Sequence, residues 1–107
     1  MLDLEQHKCV PCEGGVKPLK GKALQSYLKE VSGWKSIKNH HLEKEFKFKD
    51  FKTALAFVNK VGRLAEQEGH HPDIFLAWGK VKITLWTHAI NGLSENDFIL
   101  AKKIEKL

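Results

Sequence analysis

Residues 50–87 read DFKTALAFVNKVGRLAEQEGHHPDIFLAWGKVKITLWT, and two different periodicities follow one another within them. In the first half, apolar residues recur at helical spacing, which predicts an amphipathic helix that begins after an N-cap at Asp50 and ends at Gly69. In the second half, apolar and polar residues alternate, which predicts strands over 73–78 and 81–87 joined by a short turn. A helix followed by a hairpin is therefore the centre of the predicted fold. The apolar stripe of this helix is predicted to contain Phe51, Leu55, Val58, Val61, Leu64 and Ala65.

The flanking segments repeat the combination of a helix with strands. Apolar spacing predicts a helix over residues 22–31, and alternation predicts strands over 34–37 and 42–48. Ser94 is a good N-cap, so a third helix is expected to follow it. The predicted order is α-β-β-α-β-β-α. This order indicates an α+β domain, with a four-stranded antiparallel sheet and three helices on one face.

The chain length of 107 residues suits one domain spanning 1–107, of which residues 1–20 form an irregular, turn-rich arm. Apolar residues (42%) and charged residues (29%) occur at ordinary globular frequencies. No apolar run approaches the roughly 20 residues needed to cross a bilayer, and the start lacks the pattern of a secretory signal. We therefore expect a cytoplasmic protein that does not bind membranes. A sheet of four strands leaves open edges, so oligomerisation is also expected.

The net charge of +5 does not indicate nucleic-acid binding. Lysine supplies 17 of the 18 basic residues, and Arg63 is the only arginine. Arginine is the preferred side chain for reading phosphates and guanines because its planar group binds two acceptors at once. The lysines are also spread along the chain rather than grouped. We interpret the charge as a solvated basic surface.

The first candidate site consists of His70 and His71, with Glu66 before them and Pro72 after them. Glu66 and His70 are four residues apart, so they are predicted to share one side of the last helical turn. Pro72 favours an extended backbone at His71, which makes the two neighbouring rings point in opposite directions. The arrangement could supply a proton donor beside a second imidazole that orients a ligand. The alternative is that the histidines only cap helix carbonyls.

Cys9 and Cys12 raise the alternative of a metal site. Together with a histidine pair they would provide four ligands for zinc. However, one CxxC without a second pair of spaced ligands is a weak signal, and the histidines of each pair are adjacent in sequence. We therefore predict no metal ion and two reduced thiols.

The second candidate site runs from His88 to Asp97. His88 has the opposite parity to the apolar residues of the preceding strand, and a strand end beside a loop is a common position for functional side chains. Asp97 follows Ser94 by three residues, so a capping box is the first interpretation of its carboxylate and a catalytic role is the second.

Other ring side chains are interpreted as structural. His40 and His41 have no carboxylate at an informative spacing and are predicted to be surface residues. The three tryptophans are predicted to be packing residues: Trp34, Trp78 and Trp86. The sequence contains neither a nucleophile elbow nor a phosphate-binding loop.

Taken together, these motifs resemble the pterin-4a-carbinolamine dehydratase family. The resemblance covers nearly the whole chain, and the N-terminal arm is typical of microbial and plant members. The chain departs from the family pattern at Trp78-Gly79, where Tyr-Asn is frequent. The matching residues are Glu66-x-x-x-His70-His71-Pro72-Asp73, Lys80-Val81, Thr87-His88, Gly92-Leu93-Ser94 and Asp97, with Cys9-Val10-Pro11-Cys12-Glu13-Gly14-Gly15, Pro18-Leu19 and Trp34 upstream.

The resemblance implies a homodimer or homotetramer that uses no cofactor and acts on a small pterin substrate. Members of the family remove water from 4a-hydroxytetrahydropterin to give the quinonoid dihydropterin, a step in tetrahydrobiopterin recycling. The resemblance implies catalysis by His70, His71 and His88. His70 and His88 would act as acid and base, and His71 would contact the pterin. Glu66 and Asp97 would hold the histidines. The implied pocket residues are His70, His71, Pro72, Thr87, His88, Ala89 and Ile90.

The family also leaves two alternative functions open. Animal members stabilise dimers of a homeodomain transcription factor, which suggests a binding module without catalysis. Other members act in molybdopterin-dependent pathways, which suggests a different pterin-handling role.

Overall fold

A computed structural model describes residues 17–107, and the Cys9–Cys12 motif lies outside the described residues. Within that range the chain forms the predicted order of three helices and four strands. The elements are α1 (Gly21–Leu28), β1 (Lys35–Ile37), β2 (His41–Lys47), α2 (Phe51–Glu68), β3 (Asp73–Ala77), β4 (Lys80–Leu85) and α3 (Glu95–Ile104).

The four strands form one antiparallel sheet in the order β1-β2-β4-β3. Leu42 lies opposite Leu85 on the central pair, and Ile74 lies opposite Ile83 at the side of the sheet where β3 is the edge. These cross-strand pairs place apolar side chains on one face, as the alternation of the sequence predicts. The predicted α+β class and sheet are therefore confirmed. Among the residues that the structure describes, β1 and β3 are the edge strands.

The core lies between the apolar face of the sheet and the helices. Alternate residues of β4 are fully buried, which confirms the predicted inward face of that strand. Tyr27 joins α1 to α3 by donating a hydrogen bond to Glu95 at 2.7 Å. Burial and this bond raise the pKa of Tyr27 to about 12. The largest fully buried side chains are Phe98, Leu24, Leu42, Ile83, Leu85, Leu93, Ile99, Leu100, Ile104, Val61 and Val81.

The buried stripe of α2 differs from the predicted one. Phe51 and Leu55 are 43% and 40% exposed, whereas Ala54 is fully buried. The buried residues Ala54, Val61 and Ala65 keep the helical spacing, but the buried face begins at Ala54 instead of at Phe51 and is therefore rotated about the helix axis. Ala54 and Ala65 are buried, and Phe57, Val58 and Leu64 pack against the core beside them. The prediction for Val61 and Ala65 is confirmed, and that for Phe51 and Leu55 is wrong.

The ends of α2 agree with the prediction and direct the chain toward the candidate site. Asp50 accepts a hydrogen bond from the Thr53 N–H at 2.8 Å, which forms the N-cap. Gly69 adopts the left-handed conformation (φ 65°) just after the last helical residue. The next N–H, from His70, donates to the carbonyl of Ala65 at 3.3 Å, as in a Schellman cap. This turn ends the helix and begins the segment of the two histidines.

The turn between β1 and β2 is tight because Lys38 and Asn39 both have positive φ values, 53° and 56°. Two central residues of this kind are typical of a type I′ hairpin turn. The His40 N–H donates to the Ile37 carbonyl at 2.9 Å and closes the turn. His40 is therefore the last residue of a closed turn, and His41 is the first residue of β2.

Candidate active site

Asp97 is the centre of a buried hydrogen-bond network at the start of α3. Its side chain is fully buried, and its two oxygens have different partners. Oδ1 contacts His70 Nε2 at 2.6 Å, while Oδ2 accepts from the Ser94 N–H and the Thr87 hydroxyl, both at 2.9 Å. The bond from Ser94 belongs to a capping box, as predicted. The same carboxylate thus caps the helix, as predicted, and also holds a histidine. Its catalytic role stays a prediction.

Thr87 connects this network to the loop that carries His88. Because the Thr87 hydroxyl proton goes to Asp97, the Ser94 hydroxyl donates to Thr87 Oγ1, at 2.7 Å. The backbone of Thr87 also pairs with Gly92, through N–H donation in both directions at 2.8 and 3.4 Å. Residues 88–91 are therefore a small loop with a closed, buried base.

His70 is the less exposed of the two adjacent histidines, with 13% of its side chain accessible. Since Nε2 faces the Asp97 carboxylate, the ring carries its proton on that nitrogen, and Nδ1 is the atom left to exchange a proton with a ligand. Nδ1 has no hydrogen-bond partner among residues 17–107. Lys103 also donates to Glu68 at 2.8 Å, which ties the end of α2 to α3 close to His70.

His71 has a different partner and a different environment from His70. It pairs through Nε2 with Glu66, and the two side chains are 61% and 77% exposed. Glu66 thus contacts His71 rather than His70, which corrects the expectation from the four-residue spacing. The reason is that the left-handed turn at Gly69 carries His70 away from the last helical turn and toward α3.

His88 begins a short 3₁₀ turn, residues His88–Ile90. The predicted strand end at Thr87 is wrong, since β4 ends at Leu85. Its side chain is exposed, and its ring packs against the Trp86 ring with centroids 4.0 Å apart. Asn91 ends the turn in the left-handed conformation, and its N–H donates to the His88 carbonyl at 3.2 Å. Since His88 directly follows Thr87, the closed base of the loop holds it next to the Asp97 network.

The remaining predicted pocket residues have mixed environments. Pro72 is partly buried, Ala89 is exposed, and Ile90 is buried beneath the turn. The structure gives no contact that assigns a ligand-binding role to any of the three.

His40 and His41 are not the isolated surface residues that the sequence predicts. Their Nδ1 atoms are 3.0 Å apart, and His40 Nε2 contacts Asn91 Oδ1 at 3.0 Å. The His40 ring also packs on Trp86, with centroids 4.4 Å apart. The turn between β1 and β2 therefore contacts the loop of His88. No local sequence signal links residues so far apart, and only the pairing of β2 with β4 brings them together.

Residues 17–107 contain neither a cluster of metal ligands nor a membrane-spanning helix. Among residues 17–107, no three His, Cys, Asp or Glu side chains are grouped so that they could hold a metal ion. No helix in the described part of the chain has both the length and the hydropathy of a membrane span.

Comparisons with known proteins identify close relatives. The family model described as pterin 4 alpha carbinolamine dehydratase matches residues 17–107. A protein of Alkaliphilus metalliredigens, provisionally named pterin-4-alpha-carbinolamine dehydratase, is 54% identical over 99% of this chain and 96% of its own length. A protein of Rubrobacter xylanophilus with the same provisional name is 49% identical over the full length of both chains.

Solved structures of two similar proteins extend the comparison. A transcriptional coactivator/pterin dehydratase from Brucella melitensis superimposes with a TM-score of 0.79 and 34% identity, over 84% of this chain and 97% of that one. A pterin dehydratase-like protein, described as a RuBisCO assembly factor in the alpha-carboxysome, gives a TM-score of 0.61 and 26% identity over 69% and 87% of the two chains. The fold is therefore used by proteins with both catalytic and binding descriptions.

Proposed function

The chain belongs to the pterin 4 alpha carbinolamine dehydratase family, and we propose that it is an active dehydratase of that family. The proposed reaction is the loss of water from 4a-hydroxytetrahydropterin to give the quinonoid dihydropterin, in the recycling of tetrahydrobiopterin. The single observation that supports catalysis most directly is the buried bond between His70 and Asp97. A scaffold has no need of an imidazole held by a fully buried carboxylate with one ring nitrogen left unpaired.

The proposed reaction requires two proton transfers. Hydroxide is a poor leaving group, so an acid must protonate the 4a-hydroxyl before the C–O bond breaks and water departs. The lone pair of the adjacent ring nitrogen forms the C=N bond, and a base then removes the proton from that nitrogen. Imidazoles can exchange protons near neutral pH, and each positioned transfer typically contributes 10²–10⁴-fold. The acid loses one proton and the base gains one, so the substrate is converted to the quinonoid product and one water molecule without any other reactant.

His70 is proposed as the acid toward the 4a-hydroxyl, and His88 as the base. The bond between Nε2 and Asp97 Oδ1 fixes the ring and stabilises the positive charge that the imidazole carries as a proton donor, so Nδ1 can present the proton. His88 is exposed at the first position of its turn, where it can receive a proton and return it to solvent. His71, with Glu66, is proposed to contact the pterin ring system at the exposed side of the site.

The test is the rate of 4a-hydroxytetrahydropterin dehydration, followed by ultraviolet absorbance. We expect rapid turnover by the wild type and a loss of about 10²-fold or more in both His70→Ala and His88→Ala. Lys60→Ala, an exposed substitution on α2, is the matched control and should retain the wild-type rate. No acceleration by folded wild-type protein would refute the proposed activity, and full activity of either histidine variant would refute its assigned role.

A binding function is the second candidate, and two exposed aromatic residues favour it. Phe75 on the edge strand β3 is 54% exposed and Trp78 in the following turn is 71% exposed. An open strand edge with exposed aromatic residues is suited to contact with another protein chain, including a second copy in a homodimer or homotetramer. Sedimentation of the wild type and of Phe75→Lys tests this role: a shift toward monomer in the variant supports it, and an unchanged mass argues against it.

A further inference from the structure

We propose that His40 is a positioning residue for His88, and that the turn between β1 and β2 completes the candidate site. The proposal deepens the proposed function, on which it rests for its catalytic meaning. It concerns a histidine that lies outside the motif of residues 66–97 on which the resemblance depends. The observation that carries it is the contact of one imidazole with both ends of the loop that holds His88.

The first contact precedes His88 in the chain. The His40 ring packs on Trp86, and the Trp86 ring packs on His88, with centroid distances of 4.4 and 4.0 Å. Both pairs are tilted, at 42° and 32° between ring planes. Such ring contacts have preferred distances and angles. The His40 ring therefore restricts the position of the Trp86 ring, which in turn restricts the position of the His88 ring.

The second contact follows His88 in the chain. His40 Nε2 donates to Asn91 Oδ1, at 3.0 Å, and Asn91 closes the 3₁₀ turn through its own N–H. Asn91 has a φ of 50°, a conformation that non-glycine residues adopt at some cost. A side-chain hydrogen bond therefore holds Asn91 in the conformation that the turn requires. Trp86 and Asn91 are thus fixed by the same imidazole, and His88 lies between them.

The proton arrangement of His40 is consistent with this role. Nε2 donates to Asn91 Oδ1, and Nδ1 forms a hydrogen bond with His41 Nδ1 at 3.0 Å. Both ring nitrogens of His40 are therefore occupied, which leaves none to act on a substrate. The tight turn at Lys38 and Asn39 anchors this imidazole to the sheet. His40 can position His88 but is not itself an acid or a base in the reaction.

Three variants separate the two contacts. His40→Ala removes both, His40→Phe keeps a ring against Trp86 without the hydrogen bond, and Asn91→Gly removes the acceptor while retaining easy access to positive φ. His41→Ala is the matched control because it leaves the Trp86 and Asn91 contacts of His40 possible. For each variant, kcat and KM are measured separately, and the His88 ring signals are followed by NMR as a function of pH.

We expect kcat to fall about tenfold to 10²-fold in His40→Ala, with a smaller fall in His40→Phe and in Asn91→Gly, because small misplacement of a catalytic group has effects of that order. KM should change less than threefold, and His41→Ala should stay within about threefold of wild type. The His88 ring signals should shift in His40→Ala and be partly restored in His40→Phe.

Equal kcat values in His40→Ala and His41→Ala, with unchanged His88 signals, would overturn the proposal. An inactive wild type would refute the dehydratase function instead. In that case the NMR comparison still decides whether His40 sets the position of the His88 ring, so the two failures are distinguishable. His40→Phe keeps the test valid if His40→Ala does not fold.

Discussion

Two adjacent residues, His70 and His71, each pair with a carboxylate, yet the two pairs have opposite environments. The His70 and Asp97 side chains are 13% and 0% exposed, whereas those of His71 and Glu66 are 61% and 77% exposed. Asp97 also accepts two further hydrogen bonds, from Thr87 and the Ser94 backbone. The same two functional groups are therefore used once as a rigid buried unit and once as a pair in contact with solvent.

The difference shows that the environment, rather than the residue type, determines how much free energy an ion pair contributes to stability. A buried pair in a low dielectric loses a large amount of free energy when one partner is removed, because the other is left without compensation. An exposed pair is screened by water and salt and contributes about 0–1 kcal/mol. Because the extended backbone sends neighbouring side chains in opposite directions, a single peptide unit separates the two situations. The following predictions test this contrast, beginning with the largest effect.

Asp97→Ala should have the largest effect of any substitution in the site. It leaves the His70 ring, the Thr87 hydroxyl and the Ser94 N–H without their acceptor, and it removes the capping box of α3. We expect the free energy of unfolding to fall by about 3–5 kcal/mol, as for other broken buried pairs. Urea denaturation of wild type and variant measures this loss.

Asp97→Asn separates stability from chemistry. The amide has nearly the same shape, but it presents an oxygen to only some of the three donors and carries no charge to stabilise protonated His70. We expect a smaller loss of stability than for Asp97→Ala, together with a fall in kcat of about 10²-fold or more. A fully active Asp97→Asn variant would show that the carboxylate is needed only for the helix cap.

Thr87→Val tests whether the network around Asp97 acts as a unit. The substitution keeps the branched shape but removes the hydroxyl that joins Ser94 to Asp97. The buried carboxylate then loses one donor, so we expect about 1–3 kcal/mol of destabilisation. Thr87→Ser, which keeps the hydroxyl, should recover most of that loss in the same denaturation experiment. Equal stability of the Val and Ser variants would mean that packing rather than the hydrogen bond explains the position.

The sequence is sufficient to predict the α+β order of elements because the decisive signals are local. Asp50 and Gly69 mark the ends of α2, and the alternation in β4 identifies its buried face. The exact ends of strands are harder to predict: β4 stops at Leu85, although the alternation of the sequence continues to Thr87, whose backbone pairs with Gly92 instead. The predicted buried face of α2 is also wrong at Phe51, because Ala54 is the residue of the first helical turns that is fully buried.

The candidate site could be predicted only in part. Spacing placed Asp97 in a capping box, but its bond to His70 joins residues 27 positions apart and depends on how α2 and α3 pack. The resemblance, rather than any periodicity, predicted that Asp97 holds a histidine. The sequence predicts a surface position for His40 because no carboxylate lies at an informative spacing, and its actual partner Asn91 is 51 positions away. Long-range contacts of this kind have no local sequence signature.

Glu66→Gln is the counterpart of the Asp97 substitutions in the exposed pair. Both His71 and Glu66 are mostly in solvent, so we expect a change in stability below about 1 kcal/mol and a fall in activity of less than about fivefold. The small effect should decrease further at high salt, since exposed charges are screened. Rate measurements at two ionic strengths check this. A loss as large as that of Asp97→Asn would place Glu66 in the chemical step and contradict the contrast between the two pairs.

Asp50 is a helix-capping carboxylate that, unlike Asp97, does not contact a histidine, so its substitution should change stability least. Hydrogen bonds from Thr53 lower the pKa of Asp50 below its ordinary value of 3.8. A carboxyl with a lowered pKa in the folded state stabilises it above the ordinary pKa, and this stability is lost as the pH falls through the lowered value. Asp50→Asn keeps a capping acceptor that does not titrate. Wild type should therefore be slightly more stable than Asp50→Asn at pH 7, and the difference in Tm should disappear below the lowered pKa. Thermal denaturation of both proteins between pH 7 and pH 2 measures it, and a difference that stayed constant with pH would assign the effect to amide geometry rather than to charge.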